Sequence, residues 1–204
     1  MTASFVSPHR RIALSRAAAL AVFALLSVSL NGWSLAAPFI EHSLSLVGWV
    51  LIGLGVLGRL WCGSHIGGQK NAVLTMVGPY SVCRNPLYFF SFVGGLGVML
   101  VTETLLLPLA FAVVFLAYYA KVISAEEETL LGIHGAVFTA YCSRVPRFWP
   151  QFSLHVEPER YLVSAKHFAT SRSEALWFIV AGGIVEFIEG LHISGFLPVF
   201  VYIY

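Results

Sequence analysis

Five long apolar runs limit what this chain can fold into. Short polar breaks separate the runs, which cover residues 17–39, 44–61, 86–101, 105–123 and 175–204. A helix needs about 20 apolar residues to cross the hydrocarbon core of a bilayer, so most of these runs have the length of a membrane span. With 58% hydrophobic and only 11% charged residues, the chain cannot hide its apolar side chains in one soluble core. We therefore predict an all-α, polytopic membrane protein with about five transmembrane helices.

The charged residues predict an orientation. Lysine and arginine precede the first run, follow the second and recur through residues 121–172, whereas the other two breaks carry only Glu41 and Glu103 as charged residues. By the positive-inside rule, the basic side faces the cytosol. A net charge of +2 is too small to indicate a nucleic acid partner. Three cysteines without paired spacing favour neither a disulfide framework nor a zinc site.

The first apolar run leaves an alternative open. Three arginines at positions 10, 11 and 16 precede it, and Leu35-Ala36-Ala37 has the look of a cleavage site, as in a signal peptide. The run is longer than the usual apolar region of a signal peptide, about 7 to 15 residues, which favours a retained span. We expect a single domain over residues 1–204, with core motifs between 53 and 150 and a last membrane segment at about 174–204.

Turn residues, aromatics and one arginine concentrate in GPYSVCRNPLYFF, residues 78–90. Proline disfavours a helix at the residue before it and suits the first turn of a helix, so Pro86 is expected to begin a membrane helix. Tyr80, Arg84 and Tyr88 then lie near that helix N-terminus, where unpaired backbone donors and the helix dipole favour an anion.

A second block, EEETLLGIHGAVFTAYCSRVPRFWP, covers residues 126–150. Its acidic start is also typical of a solvated amphipathic helix whose first residues complement the helix dipole.

Together the two blocks resemble the two signatures, G-x-Y-x-x-x-R-H-P-x-Y-x-G and E-E-x-x-L-x-x-x-F-G-x-x-Y-x-x-Y-x-x-x-V-P, of the isoprenylcysteine carboxyl methyltransferase and phospholipid methyltransferase superfamily. The resemblance covers roughly residues 53–150 and implies an integral membrane methyltransferase with S-adenosylmethionine in a cytosolic pocket. The implied catalytic residues are Arg84, Asn85 and Arg144. The implied cofactor-binding residues are Tyr80, Arg84, Asn85, Pro86, Tyr88, Glu126, Glu127 and Tyr141. In this resemblance Glu126 and Glu127 accept hydrogen bonds from the cofactor's ammonium or ribose hydroxyls, and charge-assisted bonds to an ammonium are strong. The chain departs from the signatures at Asn85 for histidine, Phe90 for glycine, His134 for phenylalanine and Phe138 for tyrosine.

The departure at Asn85 bears on the acceptor. A carboxylate is already ionised at neutral pH, whereas a thiol or an ammonium must lose a proton, and asparagine cannot take it. We therefore favour carboxylate O-methylation of an amphipathic or lipid-linked acceptor. Phospholipid N-methylation and methylation of a small thiol remain alternatives, as does a non-catalytic, lipid-binding membrane protein.

Three further residues are candidates for substrate contact. Arg147 flanks Val145-Pro146 and suits an anionic group, and Glu186 and Glu189 interrupt an apolar run, where ionisable side chains are costly and often functional. Glu189 and His192 make a single Glu-x-x-His motif, but a carboxylate-bridged metal pair needs two such motifs. We therefore expect no metal, and the sequence does not indicate an oligomeric state.

Overall fold

A computed structural model describes residues 20–32, 37–66 and 73–204. The described elements are α1 (residues 20–26), β1 (Ser29–Asn31), α2 (Pro38–His65), α3 (Pro79–Val82), α4 (Pro86–Leu100), α5 (Leu106–His134), α6 (Ala136–Cys142), a 3-10 turn (Phe152–Leu154), α7 (Ala165–Ile193) and β2 (Val201–Ile203). The two strands pair in parallel, with Ser29 opposite Val201 and Asn31 opposite Ile203. They are the only strands in the described ranges, so the fold class is all-α, as predicted.

Helix α4 occupies the centre of the helical bundle. It packs against α2, α5 and α7, whereas α5 makes extensive contacts only with α4 and α6 among the described elements. The apolar core lies where α2, α4 and α7 meet, and its fully buried members include Ile52, Val101 and Ala175. The core therefore fixes α4, which begins at the end of the first motif.

Glycines allow α2 and α4 to approach to backbone contact. A Cβ atom at Gly55 would lie 2.5 Å from Gly94 Cα, and one at Gly48 would lie 2.8 Å from the Gly97 carbonyl oxygen. Small residues bring membrane helices this close because lipid supplies no hydrophobic force between them, and packing must do so. A side chain at either position would push α4 away from α2.

Three described helices, α2, α5 and α7, are long and apolar enough to cross a membrane. Helix α4 is apolar but has only 15 residues, about 22 Å, which is shorter than the hydrocarbon core of about 30 Å. Many of the large apolar side chains on α2, α5 and α7 are exposed, as expected where lipid replaces water. The chain is therefore a helical membrane protein.

Several predicted boundaries were wrong. The polar break at residues 41–43 lies in the first turn of α2, because Pro38 begins this helix and Glu41 complements its dipole. In the predicted first span, residues 20–26 are helical and Ser29–Asn31 form β1, so the described part is not one helix. The predicted cleavage site falls largely outside the described residues.

The helix start predicted at Glu126 was also wrong. Glu126 and its neighbours do not start a new helix, because no glycine or proline follows Pro108 before Gly132, and α5 continues to His134. Helix α5 ends at Gly135, whose φ of +51° suits a residue without a side chain. The last helix, α7, ends at Ile193, which is before the end of the membrane segment predicted at about 174–204.

The bundle has two distinct ends. We call the end that holds His65, α3 and the beginning of α4 the motif end. The other, which we call the sheet end, holds the β1–β2 pair, the turn between α4 and α5 and the last turns of α7, because Leu106 N–H there donates to the Tyr204 carbonyl.

Candidate active site

The two motif blocks are joined by backbone hydrogen bonds at the motif end. Arg84 N–H donates to the Pro146 carbonyl at 2.9 Å, and the Tyr141 hydroxyl donates to the Tyr80 carbonyl at 2.6 Å. Tyr141 lies on α6 and is buried, and burial raises the pKa of its hydroxyl, which therefore remains a donor. Burial likewise raises the pKa of the Tyr80 hydroxyl well above its ordinary value. The segment after α6 is thus held against the first block.

Cys83 and Asn85 add two side-chain bonds to this junction. The Asn85 amide donates to the Arg147 carbonyl at 2.9 Å, and the Cys83 thiol donates to the Phe148 carbonyl at 3.0 Å. Burial raises the pKa of the Cys83 thiol to about 11, so it stays protonated and can donate. The amide of Asn85 therefore positions the chain around Arg147.

Glu127 lies between two arginines, one from each side of the junction. Arg84 Nη1 is 3.2 Å from Glu127 Oε1, and Arg147 Nε is 3.1 Å from Glu127 Oε2. The side chains of Arg84 and Glu127 are mostly buried, where charge attraction is less screened than at a surface. This ion-pair group joins the first block, the middle of α5 and the segment after α6.

Two polar atoms in this group have no hydrogen-bond partner among the described residues. Glu127 Oε1 and Arg84 Nε are both buried, and the contact between the two side chains lacks hydrogen-bond geometry. Buried polar atoms normally have partners, so an unpaired acceptor beside an unpaired donor makes Glu127 and Arg84 candidates for ligand contact.

Tyr88 and Glu126 form a second contact beside the ion-pair group. The Tyr88 hydroxyl donates to Glu126 Oε1 at 2.7 Å, and the Tyr88 ring packs against Tyr119 with 4.9 Å between centroids. Pro86 begins α4, as predicted, and thereby places Tyr88 in the first turn. Helix α4 is thus tied to α5 at the level of Glu126.

Ser124 and Tyr119 also contact these residues and were not among the predicted site residues. Ser124 accepts a hydrogen bond from Arg147 Nη2 at 2.6 Å and so fixes the arginine along α5. Ser124 precedes Glu127 by three residues, and residues three or four apart share one face of a helix. That spacing could have revealed Ser124 had α5 been predicted to continue.

Two predicted site residues lie apart from this group. Arg144 is exposed in the turn after α6, and its Nε donates to the Ala140 carbonyl of that helix. Glu186 accepts a hydrogen bond from the Trp49 indole between α7 and α2. A role for either in catalysis or substrate binding stays a prediction.

Glu189 lies at the sheet end, separated from Glu127 by the length of α4. Its carboxylate oxygen is within 4.8 Å of those of Glu41 and Glu103, and the amide of buried Asn31 donates to all three carboxylates. Burial, together with hydrogen bonding to Glu189 and its charge, raises the pKa of Glu103 to about 9. His192 does not join these carboxylates, because its ring nitrogens face the carbonyls of Leu26 and Leu197.

Comparison with known proteins identifies the family. The family model described as phospholipid methyltransferase matches residues 35–136. The chain is 33% identical to the nickel-cobalt-cadmium resistance protein of Alcaligenes xylosoxydans xylosoxydans, over 97% of this chain and 91% of that relative. It is 31% identical to the cobalt-zinc-cadmium resistance protein of Cupriavidus metallidurans, over 95% of this chain and 88% of that relative. No solved structure matches the chain. The first block, the start of the second and α4 all fall within the matched range, and the chain belongs to the phospholipid methyltransferase family.

Proposed function

We propose that this chain is a membrane methyltransferase that uses S-adenosylmethionine on an amphipathic or lipid-linked acceptor, with its motif end facing the cytosol. The observation that carries the proposal is the Arg84–Glu127–Arg147 group, which both motif blocks build together. Membership of the phospholipid methyltransferase family supports the same reaction class.

The ion-pair group suits the amino acid end of the cofactor. That end carries an ammonium and a carboxylate, and the group offers the unpaired acceptor Glu127 Oε1 and the unpaired donor Arg84 Nε. Charge-assisted bonds of both kinds are strong, and a guanidinium has a planar fork that matches a carboxylate. Tyr88 and Glu126 lie next to this set and can contact the rest of the cofactor.

When bound, the cofactor supplies an electrophilic methyl group on a sulfonium. The protein must hold the acceptor in line with that methyl group and exclude water. The Tyr119 ring lies between two other aromatic rings, with its centroid 4.9 Å from that of Tyr88 and 4.1 Å from that of Phe115. These rings form an apolar wall beside Glu126. No covalent intermediate on the protein is needed.

The position of Asn85 supports an acceptor that is already anionic. The Asn85 side-chain amide donates to the Arg147 carbonyl, and an amide cannot act as a base to remove a proton from the acceptor. A carboxylate acceptor is already ionised at neutral pH and needs no proton removed. We therefore favour carboxylate O-methylation. Phospholipid N-methylation or methylation of a small thiol requires a base, for which Glu126 and Glu127 are the nearest described carboxylates.

Cofactor affinity of purified full-length protein in detergent tests the proposal. Glu127→Gln removes the charge but keeps the shape, and loss of a charged hydrogen bond of about 1.5–3 kcal/mol weakens binding by about tenfold to a hundredfold. Glu128→Gln is the matched control, because Glu128 is exposed and lies next to Glu127 on α5. Equal affinity in the parent and Glu127→Gln, measured by calorimetry, would remove Glu127 from the cofactor site.

A non-catalytic lipid-binding protein is the alternative from another class, and the four departures from the family signatures favour it. The same measurement separates the two. A parent protein that is folded, monodisperse and unable to bind S-adenosylmethionine would support the non-catalytic reading. Methyl transfer to a lipid extract would exclude it.

The names of the two relatives suggest a biological setting, tolerance of nickel, cobalt, zinc or cadmium. The described carboxylate cluster at the sheet end offers only oxygen ligands, which suit hard cations better than these metals, for which imidazole and thiolate are favoured. We therefore propose that metal tolerance depends on methyl transfer at the motif end. Growth on cadmium of a strain lacking this gene should be restored by the parent and not by Glu127→Gln. Full restoration by Glu127→Gln would contradict the proposal.

A further inference from the structure

Residues 151–164, which we call the connecting segment, join the motif end to α7 and lie outside the range matched by the family model. Gln151 N–H donates to the Val82 carbonyl, Gly78 N–H donates to the Val156 carbonyl at 2.7 Å, and Val156 N–H donates to the Ser81 hydroxyl. The segment is therefore fixed on the first motif block.

Three side chains of the connecting segment, those of His155, Glu157 and Tyr161, contact the end of α2. Glu157 Oε1 lies 2.8 Å from His65 Nε2, and the Tyr161 ring stacks on the His65 ring with 4.2 Å between centroids. The His155 ring lies 5.5 Å from the ring of Trp61. Both hydrogen-bonding groups of the Val156 backbone are also used inward.

The apolar side chains of the segment point outward. Leu162 is 92% exposed, and Phe152, Val156 and Val163 are exposed as well. Several large apolar side chains exposed together are unfavourable in water unless something covers them. This pattern indicates that the outer surface of the segment is covered.

The level of the segment matches that of lipid headgroups. Arg59 on α2 pairs with Glu174 on α7 at 2.6 Å, and the apolar part of α7 begins directly after Glu174. Six residues, or about 9 Å of helix, separate Arg59 from His65, on which the segment rests. The headgroup layer is about 5–8 Å thick on each side of the hydrocarbon core, so the segment lies at or just above it.

The charge around the segment complements an anionic surface. Arg160, Lys166 and Arg172 are exposed on the segment and on the first turns of α7. Of the two carboxylates in the segment, Glu157 is paired with His65. Basic side chains beside apolar ones favour binding at a membrane surface that contains anionic lipids.

We propose that the connecting segment is a membrane-surface element, in which Phe152, Val156 and Leu162 insert among headgroups while Arg160 and Lys166 bind anionic lipid phosphates. The partner is the anionic leaflet at the motif end. This inference does not depend on the proposed enzymatic function, because it concerns a surface outside the ion-pair group.

A nitroxide label at Leu162→Cys tests the depth of the segment. The full chain, with Cys142→Ser to avoid labelling the less buried native thiol, is placed in nanodiscs of phosphatidylcholine with or without phosphatidylglycerol. We expect the label to be several-fold more accessible to oxygen than to a water-soluble nickel complex, and deeper in anionic discs. Glu159→Cys is the matched control and should remain accessible from water. Equal water accessibility at both positions in every disc would overturn the proposal.

Charge variants test the lipid preference. The double variant Arg160→Gln with Lys166→Gln should lose the deeper position in anionic discs and match the parent in neutral ones. Lys121 is an exposed lysine on α5, and Lys121→Gln should leave the label depth unchanged in both anionic and neutral discs. If the label in the parent lies at the same depth with and without phosphatidylglycerol, binding of anionic lipid phosphates is excluded. A label that is shielded in native membranes but exposed to water in pure lipid would show that another protein covers the segment, and would also overturn the proposal.

Discussion

Glu127 joins the two motif blocks through ion pairs, whereas Asn85 joins them through a hydrogen bond to the backbone. Glu127 sits between Arg84 and Arg147, while Asn85 holds the backbone that presents Arg147. The two residues therefore have separable roles: a change at Glu127 should alter ligand affinity, whereas a change at Asn85 should alter the position of an arginine.

Variants at Asn85 test its proposed role in positioning Arg147, and they also test whether the acceptor is anionic. Asn85→Leu removes the donor to the Arg147 carbonyl, a bond worth about 0.5–1.5 kcal/mol, so the methyl-transfer rate should fall by up to about tenfold. Asn85→His keeps a donor and should retain the rate and the shape of the pH profile. The measurement is the transfer rate between pH 5 and pH 9 with a lipid extract as acceptor.

One outcome for Asn85→His would overturn the anionic-acceptor argument. If the rate rises sharply with a new inflection near pH 6.5, the ordinary histidine pKa, proton removal was limiting in the parent. The acceptor would then be an amine or a thiol.

Single residues show how far sequence reasoning reached at the site. It selected Arg84, Glu127 and Tyr88, because motif spacing exposes residue types that suit a charged ligand. Substrate contact by Arg147 stays a prediction, and its ion pair with Glu127 was not predicted. The ion pair forms because the chain folds back toward α5 after α6. Hydrophobic periodicity does not predict where a chain folds back. The sheet-end contact of Glu41, Glu103 and Glu189 was hidden for the same reason, since these residues lie far apart in sequence.

At the scale of elements, the packing of α2 on α4 determines where the first motif block stands. Gly55→Leu should disrupt this packing, because its Cβ alone would lie 2.5 Å from Gly94 Cα. Overpacking typically costs about 1–3 kcal/mol, and here the obstacle is backbone, which cannot rotate away. Thermal unfolding in detergent should show a clearly lower midpoint for this variant.

Gly53→Leu is the matched control for Gly55→Leu. A Cβ at Gly53 meets nothing within 4 Å, so this variant should unfold near the parent temperature. Equal midpoints for the two variants would show that the close approach of α2 and α4 does not contribute to stability.

The helices also show why their ends were harder to predict than their presence. Pro86 marked the start of α4 correctly because proline acts locally. Helix α5 was predicted to stop near Ile123, since the sequence becomes polar there, yet a helix can leave the membrane without ending. Hydropathy reports where lipid ends, whereas hydrogen bonding and breaker residues determine where a helix ends.

At the scale of the whole molecule, the sheet end should respond to pH through Glu103. Its pKa is raised from an ordinary 4.5 to about 9, so the folded protein binds the proton more tightly than the unfolded chain. Stability is then fully present below about pH 4.5 and is lost as pH rises through about 9. The unfolding midpoint should fall across this window, and Glu103→Gln should flatten the fall. Glu128→Gln, an exposed change, should leave the slope as it is; a midpoint that rises with pH would contradict the assignment.

The orientation of the molecule gives a second prediction at this scale. If the motif end faces the cytosol, a protease site inserted at Glu159 should be protected from external protease in intact cells. A site inserted at Gly195, which is exposed beyond α7 near the sheet end, should be cleaved. The reverse pattern would place the candidate active site outside the cell.

The pairing of β1 with β2 has a consequence for biogenesis. Ser29 and Val201 are partners, although 172 residues separate them, so this ladder is among the most sequence-distant contacts in the chain. During synthesis, the α4–α5 hairpin can form while most of α7 is still unmade, whereas β1 must wait for the final strand. We therefore expect α2, α4 and α5 to insert before the sheet end closes. Until that closure, the carboxylates of Glu41 and Glu103 remain open to water and to whatever cations surround them.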